Sequence, residues 1–360
     1  MNYRLTTLLA RKLYAADAVE TIDIDTSDPI SRISIILESV GVALPMTAHA
    51  VRHIIKIELV DGSNVLFSLS GAQAHAVACY NQKKIPLPIG FYGTGVNAEI
   101  GIDIDFGRWL WDEILALDPK KFTNPQLKIS IDVNAGGFSA ITCYVRVDAH
   151  CFDDKKISPI GFLMNKEIKS WVPTASTHEY TDLPTDMVYR KLFLRCQQYG
   201  VGPDYALSHV KLYEDEGKKV PLDHDILDIL KTLVSQGPLF QECLILGTDT
   251  NGRYYYCTPG YFPTFQVTPW RSATAQGDPC AYEGDGGRFI VDLLSNMNTQ
   301  VQVSGWCPHS TIEIAFGKED IIEDWYDVTK VGSLKIDVTD GASAGATQSD
   351  EILLQQLMKY

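Results

Sequence analysis

Histidines, paired acids and clustered aromatics are the residues of this sequence whose types and spacing could do chemistry. His49 and His53 are four apart, a spacing that on a helix can place two ligands on one metal. His53, however, opens the strand-like run His53-Ile-Ile-Lys56-Ile, and no third ligand stands at a recognised spacing. His-x-His is absent as well. Asp23-x-Asp25 and Asp103-x-Asp105 each put two carboxylates on one side of a strand, as a glycosidase could use them. The alternating isoleucines around them fit the wet side of a half-buried strand better. Asp223-His224-Asp225 could hold an imidazole between acids. At a helix start, Asp223 reads more simply as an N-cap and Asp225 as a first-turn charge. No Gly-x-Ser-x-Gly elbow occurs. Gly90-Phe-Tyr-Gly93-Thr-Gly95 leads into a strand pattern, which makes it a turn and a poor phosphate loop. The expectation is a chain with no catalytic constellation, no metal and no cofactor, and therefore no enzyme.

Two further groups are candidates for contact. Tyr254, Tyr255, Tyr256, Tyr261 and Trp270 crowd a Gly- and Pro-rich stretch and could stack on sugar rings. Packing within that stretch, or filling a subunit interface, is the preferred reading. At the N-terminus, Leu5, Leu8, Leu9 and Leu13 fit one face of a helix, with Arg4, Arg11 and Lys12 off it. Such a basic amphipathic helix could lie on a membrane or an acidic partner, or pack on its own protein. The apolar stretch from Leu5 to Ala10 is too short for a secretion signal, so no export is expected.

The elements that must position these residues are mostly strands. Ile100-Gly-Ile102-Asp-Ile104-Asp-Phe106, Leu127-Lys-Ile129-Ser-Ile131-Asp-Val133, Thr299-Gln-Val301-Gln-Val303 and Ile312-Glu-Ile314-Ala-Phe316 alternate with period two. Turn signals at Asp61-Gly62, Gly136-Gly137, Asn251-Gly252 and Gly284-Asp-Gly286-Gly287 separate such runs. Helices are expected at Gly71 to Tyr80, Asp225 to Val234 and Asp350 to Met358. No apolar run approaches the ~18 residues of a transmembrane helix.

An internal repeat organises the chain. Ile102-x-Ile104-x-Phe106-Gly107-Arg108 is followed by Leu127-Lys128-Ile129, and Ile312-x-Ile314-x-Phe316-Gly317-Lys318 by Leu334-Lys335-Ile336. The step from Phe to Leu is 21 residues in one copy and 18 in the other. Upstream, His53 to Leu69 and His209 to Leu222 each read strand, turn, strand and then a short helix. Between hairpin and Phe-Gly the second copy is longer, and the extra material falls at about 236–290. The chain has 360 residues, 45% of them hydrophobic and 21% charged, as expected of a folded two-domain protein. A net charge of −14 argues against a broad nucleic-acid surface. The eight cysteines include no C-x-x-C pair and are expected to be reduced, buried thiols.

Many short strands and a duplication point to a mainly β chain of two tandem jelly-roll β-sandwiches with short flanking helices. The expected divisions are an N-terminal helix at 1–18, a first sandwich at 19–155, and a second at 156–360 carrying the insertion and a C-terminal helix.

On Phe106-Gly107-Arg108, Leu117-Asp118-Pro119-x-x-Phe122-x-Asn124-Pro125-Gln126-Leu127-Lys128-Ile129 and the shortened copy at 316–338, the chain resembles the double jelly-roll major capsid proteins of tailless icosahedral viruses, especially bacteriophages whose shell encloses a membrane. The resemblance implies a homotrimeric, pseudo-hexagonal capsomer that tiles an icosahedral shell of the virion, made in the host cytoplasm. It implies neighbouring capsomers, minor capsid or penton proteins and an internal membrane as partners, and no direct sequence-specific contact with nucleic acid. Arg4, Arg11 and Lys12 would then face inward, and the insertion would crown the outer surface. A two-domain glycan-binding β-sandwich, receptor-binding or lectin-like and resting on the aromatic stretch, is the alternative.

Overall fold

The computed structural model describes residues 1–40, 47–92, 97–135, 142–247, 253–269, 280–292, 298–345 and 349–360. The turns expected at Gly136-Gly137 and Asn251-Gly252, and the glycines Gly93 and Gly95, lie outside them. In chain order the first half contributes β1 (Tyr3–Tyr14), β2 (Ala18–Asp23), β3 (Ile30–Val40), β4 (Ile54–Asp61), β5 (Asn64–Leu69), α1 (Gly71–Gln82), β6 (Ile89–Tyr92), β7 (Ala98–Asp105), β8 (Pro125–Ile131) and β9 (Thr142–Phe152). The second half opens with β10 (Gly161–Trp171), β11 (His178–Leu183), β12 (Val188–Arg195), α2 (Pro203–Ala206), β13 (Leu207–Glu214), β14 (Lys219–Asp225) and α3 (Ile226–Gln236). It continues with β15 (Phe240–Leu246), β16 (Arg253–Tyr256), β17 (Pro259–Pro269), β18 (Cys280–Glu283), β19 (Arg288–Asp292), β20 (Thr299–Pro308), β21 (Thr311–Ala315), β22 (Leu334–Asp340) and β23 (Asp350–Lys359).

The repeat read from sequence is a repeat of topology. One sheet of the first half runs β1-β9-β3-β7, and the second half repeats this order as β10-β23-β12-β21. The facing order β2-β8-β4-β5 recurs as β11-β22-β13-β14. Each half is a jelly-roll sandwich of two four-stranded layers, with a helix after the fifth strand. The Phe-Gly pairs directly follow β7 and β21, where the chain leaves the sheet. A Cβ on Gly107 would stand 2.6 Å from the Leu115 carbonyl, and Gly317 has φ +72, so glycine is required in both copies.

The halves are fused. β5 meets β10 in parallel at Ser68 and Lys166, joining one layer of each sandwich into a single eight-stranded sheet. A second parallel pairing, β6 with β15 from Ile89–Cys243 to Tyr92–Leu246, ties the first half to the insertion. The insertion extends beyond the expected 236–290. It forms its own β-layer, β17-β20-β15-β6, beside a three-stranded sheet β16-β19-β18. Alternation in Phe240, Leu244 and Leu246 against Val301 and Val303 buries one side of that layer into the first half's core.

Both chain ends differ from expectation. Residues 3–14 form an edge strand against β9, not a helix. Register shifts between Thr7 and Leu9 and between Leu9 and Lys12 break the two-residue period, so a bulged strand imitates helical spacing. Leu8 and Leu9 pack on the core, whereas Leu5 and Leu13 are exposed. The C-terminal segment is β23, in the middle of the eight-stranded sheet. Its run Ile352-Leu353-Leu354 is continuous because both faces are buried: Ile352 and Leu354 join the second half's core, and Leu353 joins the first's. Leu353→Ala is expected to cost about 2–5 kcal/mol in urea unfolding. The exposed Leu5→Ala should stay within about 0.5 kcal/mol of the parent.

Candidate functional site

The outer face of β10-β23-β12-β21, which points away from the second half's core, is covered by α1. This helix starts with a capping box, Ser70 with Gln73, and ends at Lys83 in the left-handed conformation. Every residue from Gly71 to Tyr80 is buried, which explains why its sequence shows no polar stripe. A Cβ at residue 71 would meet the carbonyl of Ile54, the first residue of β4, at 2.8 Å, so the helix can approach β4 only with glycine there.

α1 grips the second half through polar side chains. Gln73 donates from Nε2 to Glu351 at 2.8 Å and also to Glu167. The Tyr80 hydroxyl donates to the Thr311 carbonyl at 2.7 Å, and the Asn81 carbonyl accepts from Arg190 at 2.9 Å. Arg195 pairs with Glu351 at 2.8 Å beneath the helix. Burial of these groups is offset by their mutual bonds, which is the condition for a polar junction inside a protein.

A matched cation–carboxylate pair sits in both sandwiches. Arg32 lies opposite Asp105, the residue before Phe106, and Lys191 lies opposite Ala315, the residue before Phe316. Arg32 reaches Asp105 at 2.5 Å and Asp103 at 3.5 Å. Lys191, fully buried, pairs with Glu313 and with Glu319 at 2.8 Å. Gln82 at the end of α1 donates to Asp103 at 2.7 Å, so the acids flagged from sequence are tied into structure. Lys191→Met leaves the buried Glu313 without its cation, while Glu319 keeps Arg190 at 3.5 Å, and should lower stability by about 3–5 kcal/mol, read by urea unfolding.

Three histidines from three elements also meet at the junction. His49 precedes β4, His75 lies on α1, and His309 lies in the turn from β20 to β21, where Cys307, His309 and Ser310 have positive φ. His75 Nδ1 and His309 Nε2 are 2.8 Å apart, and the His49 and His309 rings stand 4.9 Å apart, edge to face. The Val51 amide donates to His49 Nδ1, which puts that ring's proton on Nε2. Burial pushes His49 down to about 3 and His75 to about 4, and it holds His309 well below the usual imidazole value, helped by His49 and His75 and then by Arg195 and Arg52. Across the same small cavity, burial raises Glu242 to about 7 although Thr258 donates to it. Because folding favours the neutral rings, their contribution is complete above about pH 6.5 and is lost as pH falls through about 4 and 3. His75→Gln should therefore flatten the loss of urea stability between pH 6.5 and 4, an effect on the order of 3 kcal/mol.

No group of three or more His, Cys, Asp or Glu among the described residues has the geometry to hold a metal ion. His53 ends a short helix, with Nδ1 at 2.9 Å from the Asp132 carbonyl, and does not share a site with His49. Asp223 is not the N-cap. It lies in β14 and pairs with Lys211 at 2.7 Å and His209 at 3.1 Å, while Asp225 occupies the cap position of α3. Arg4, Arg11 and Lys12 stand on β1 and pair with Asp28, Glu38 and Glu20. Of the aromatic stretch, Tyr255, Tyr256 and Tyr261 are buried. Tyr254 is exposed with the Arg288 guanidinium over its ring, and Trp270 lies outside the described residues. A flat stacking surface is therefore not presented by the three buried tyrosines. All eight cysteines are free thiols, and six are buried. The α1 junction was missed in sequence because a helix buried all round carries no periodic signal.

This topology defines the double jelly-roll class of β-sandwich folds. No protein-family model and no curated protein sequence matches the chain. Among solved structures, it is similar to the major capsid protein of Sulfolobus turreted icosahedral virus, with 12% identity and a TM-score of 0.59 over 99% of this chain and 96% of that one. It is similar to the major capsid protein of bacteriophage PM2 at 12% identity and a TM-score of 0.56, over 99% and 98% of the two chains. The PBCV-1 virus capsid matches at 10% identity and a TM-score of 0.56, over 99% and 94%.

Proposed function

We propose that this chain is the major coat protein of an icosahedral virus and that it self-assembles through trimers. The observation that carries the reading is the agreement of fold along the whole chain, both sandwiches and the insertion together, with major capsid proteins. The fused junction supports it. Two sandwiches held side by side by an eight-stranded sheet and a buried helix make one stiff block with two similar halves. Three such blocks around an axis offer six similar corners, a footprint that tiles a closed surface with one subunit type.

In this reading the two sandwiches divide at 153–160, between β9 and β10, and the insertion of the second half crowns one end. Neighbouring capsomers are the main partners, with minor capsid or penton proteins at the special positions of the shell. Arg4, Arg11 and Lys12 act from strand β1 toward a neighbouring subunit or an underlying membrane. A chain with net charge −14 leaves the genome to other components. The protein belongs to the virion and is made in the host cytoplasm. Light scattering after gel filtration should give three times 40.0 kDa, or larger particles, with about 2,000 Å² or more buried in total. A monomer over a wide concentration range, alone and with vesicles, would overturn the reading.

A further inference from the structure

The turn from β20 to β21 is held in an unfavourable shape. Cys307, His309 and Ser310 have φ of +51°, +50° and +54°, the left-handed region that residues with a Cβ avoid. Bonds from several directions fix this corner. The His309 amide donates to the Thr258 carbonyl at 2.7 Å, just ahead of β17. The Cys196 amide, at the end of β12, donates to the Ser310 carbonyl at 3.2 Å, and Tyr80 of α1 donates to the Thr311 carbonyl. The last tie is between rings: His75 on α1 meets His309 at 2.8 Å, with His49 edge-on to His309 at 4.9 Å.

The ring pair tolerates only one shared proton. Its bond needs a single N–H between His75 Nδ1 and His309 Nε2. The outer nitrogens, His75 Nε2 and His309 Nδ1, are buried without a partner. An added proton therefore either faces the N–H already in the bond or sits on a nitrogen with nothing to accept it. The surroundings do not compensate a ring cation. Arg52 and Arg195 act on His309 as like charges, and Glu351 is already paired with Arg195. Asp103, the acid that acts on His75, is held by Arg32 and Gln82. Glu99 lines the cavity beside His49 and His75 but is exposed, so water screens it. Glu242, across that cavity, is pushed up to about 7 by burial and is itself protonated in acid. Burial also raises Cys79, Tyr80, Tyr92, Cys257 and Cys307, which keeps them neutral. The Tyr199 hydroxyl accepts the His49 amide.

We propose that His49, His75 and His309 form a proton-operated latch: neutral rings hold the strained β20–β21 corner against α1, and acid releases that corner while both sandwiches stay folded. Opening takes up protons. The open corner exposes three rings of ordinary value, 6.5, which charge as pH falls below it. Glu242 opposes, since the closed state keeps its proton up to about 7 and the open state releases it down to the ordinary 4.5. Between pH 6 and 5 the balance is about two protons in favour of opening, or about a hundredfold per pH unit. The ion pairs of the sandwiches weaken only when their carboxylates protonate, around pH 4 and below. On the coat reading, such a latch makes one joint of the subunit acid-sensitive and leaves the double sandwich intact.

Hydrogen exchange of the full chain, read by mass spectrometry and corrected for the intrinsic rate, tests the latch. In the parent, protection of residues 305–312 should fall about a hundredfold from pH 6 to 5, with β3 and β9 unchanged. His75→Gln removes one ring and should reduce the fall to about tenfold. Glu242→Gln keeps an acceptor for Thr258 but removes the opposing proton, and should steepen the fall to about a thousandfold. Flat protection of 305–312 in the parent, or loss of β3 and β9 over the same range, would overturn the inference. So would a parent-like slope in either variant. Should His75→Gln be unfolded at pH 7, the slope of Glu242→Gln decides alone. The coat reading stands or falls separately, on assembly.

Discussion

The structure depends on a helix that has no wet face. α1 lies between the two sandwiches with every residue of Gly71 to Tyr80 buried, so it cannot be stable on the first sandwich alone. Its burial forces the sheet it covers to be unusual. β12 and β23 carry apolar and polar residues in unbroken succession, because Leu192, Leu194, Ile352 and Leu354 fill one core while Phe193 and Leu353 complete another. A jelly-roll layer that would ordinarily have one solvated side becomes an internal wall. The two halves are thereby one mechanical body.

The polar chemistry of the chain concentrates where those bodies meet. Arg190, Lys191, Arg195, Glu313 and Glu351 would be a costly set of charges in an apolar core. They are tolerated because α1 brings Gln73 and Asn81 to them and because strand pairing brings acid and base together in register. The histidines at the same junction are held neutral by burial. Concentrated charges and shifted rings often mark active sites. Here each has a structural partner or a structural neighbour, and the arrangement reads as a glued seam.

Duplication has been preserved most strictly where geometry leaves least freedom. The Phe-Gly exits from β7 and β21, the cation opposite them on β3 and β12, and the hairpins before α1 and α3 recur in both halves. The segments between α1 and β7 and between α3 and β21 have diverged in length. The longer one has become a separate β-layer that recruits β6 from the other half. That pairing adds a second seam between halves, while Tyr255 and Tyr256, whose clustering suggested a ligand surface, join the first half's core and Tyr261 joins the second's.

Local alternation was enough to read the strands β7, β8, β20 and β21, the hairpin at Asp61-Gly62 and the repeat itself, because each is written in the period of neighbouring residues. From the repeat follow two sandwiches, and the structure adds the strand order they share. Sequence alone could not decide the ends of the chain. Leucines at 5, 8, 9 and 13 fit a helix and a twice-bulged strand equally, and only pairing with β9 selects the strand. Ile352 to Leu354 fits any short buried element until two cores are placed on either side of β23. The charged seam was hidden for the same reason: its partners, such as Gln73 and Glu351, are 278 residues apart, and contacts at that range leave no local pattern.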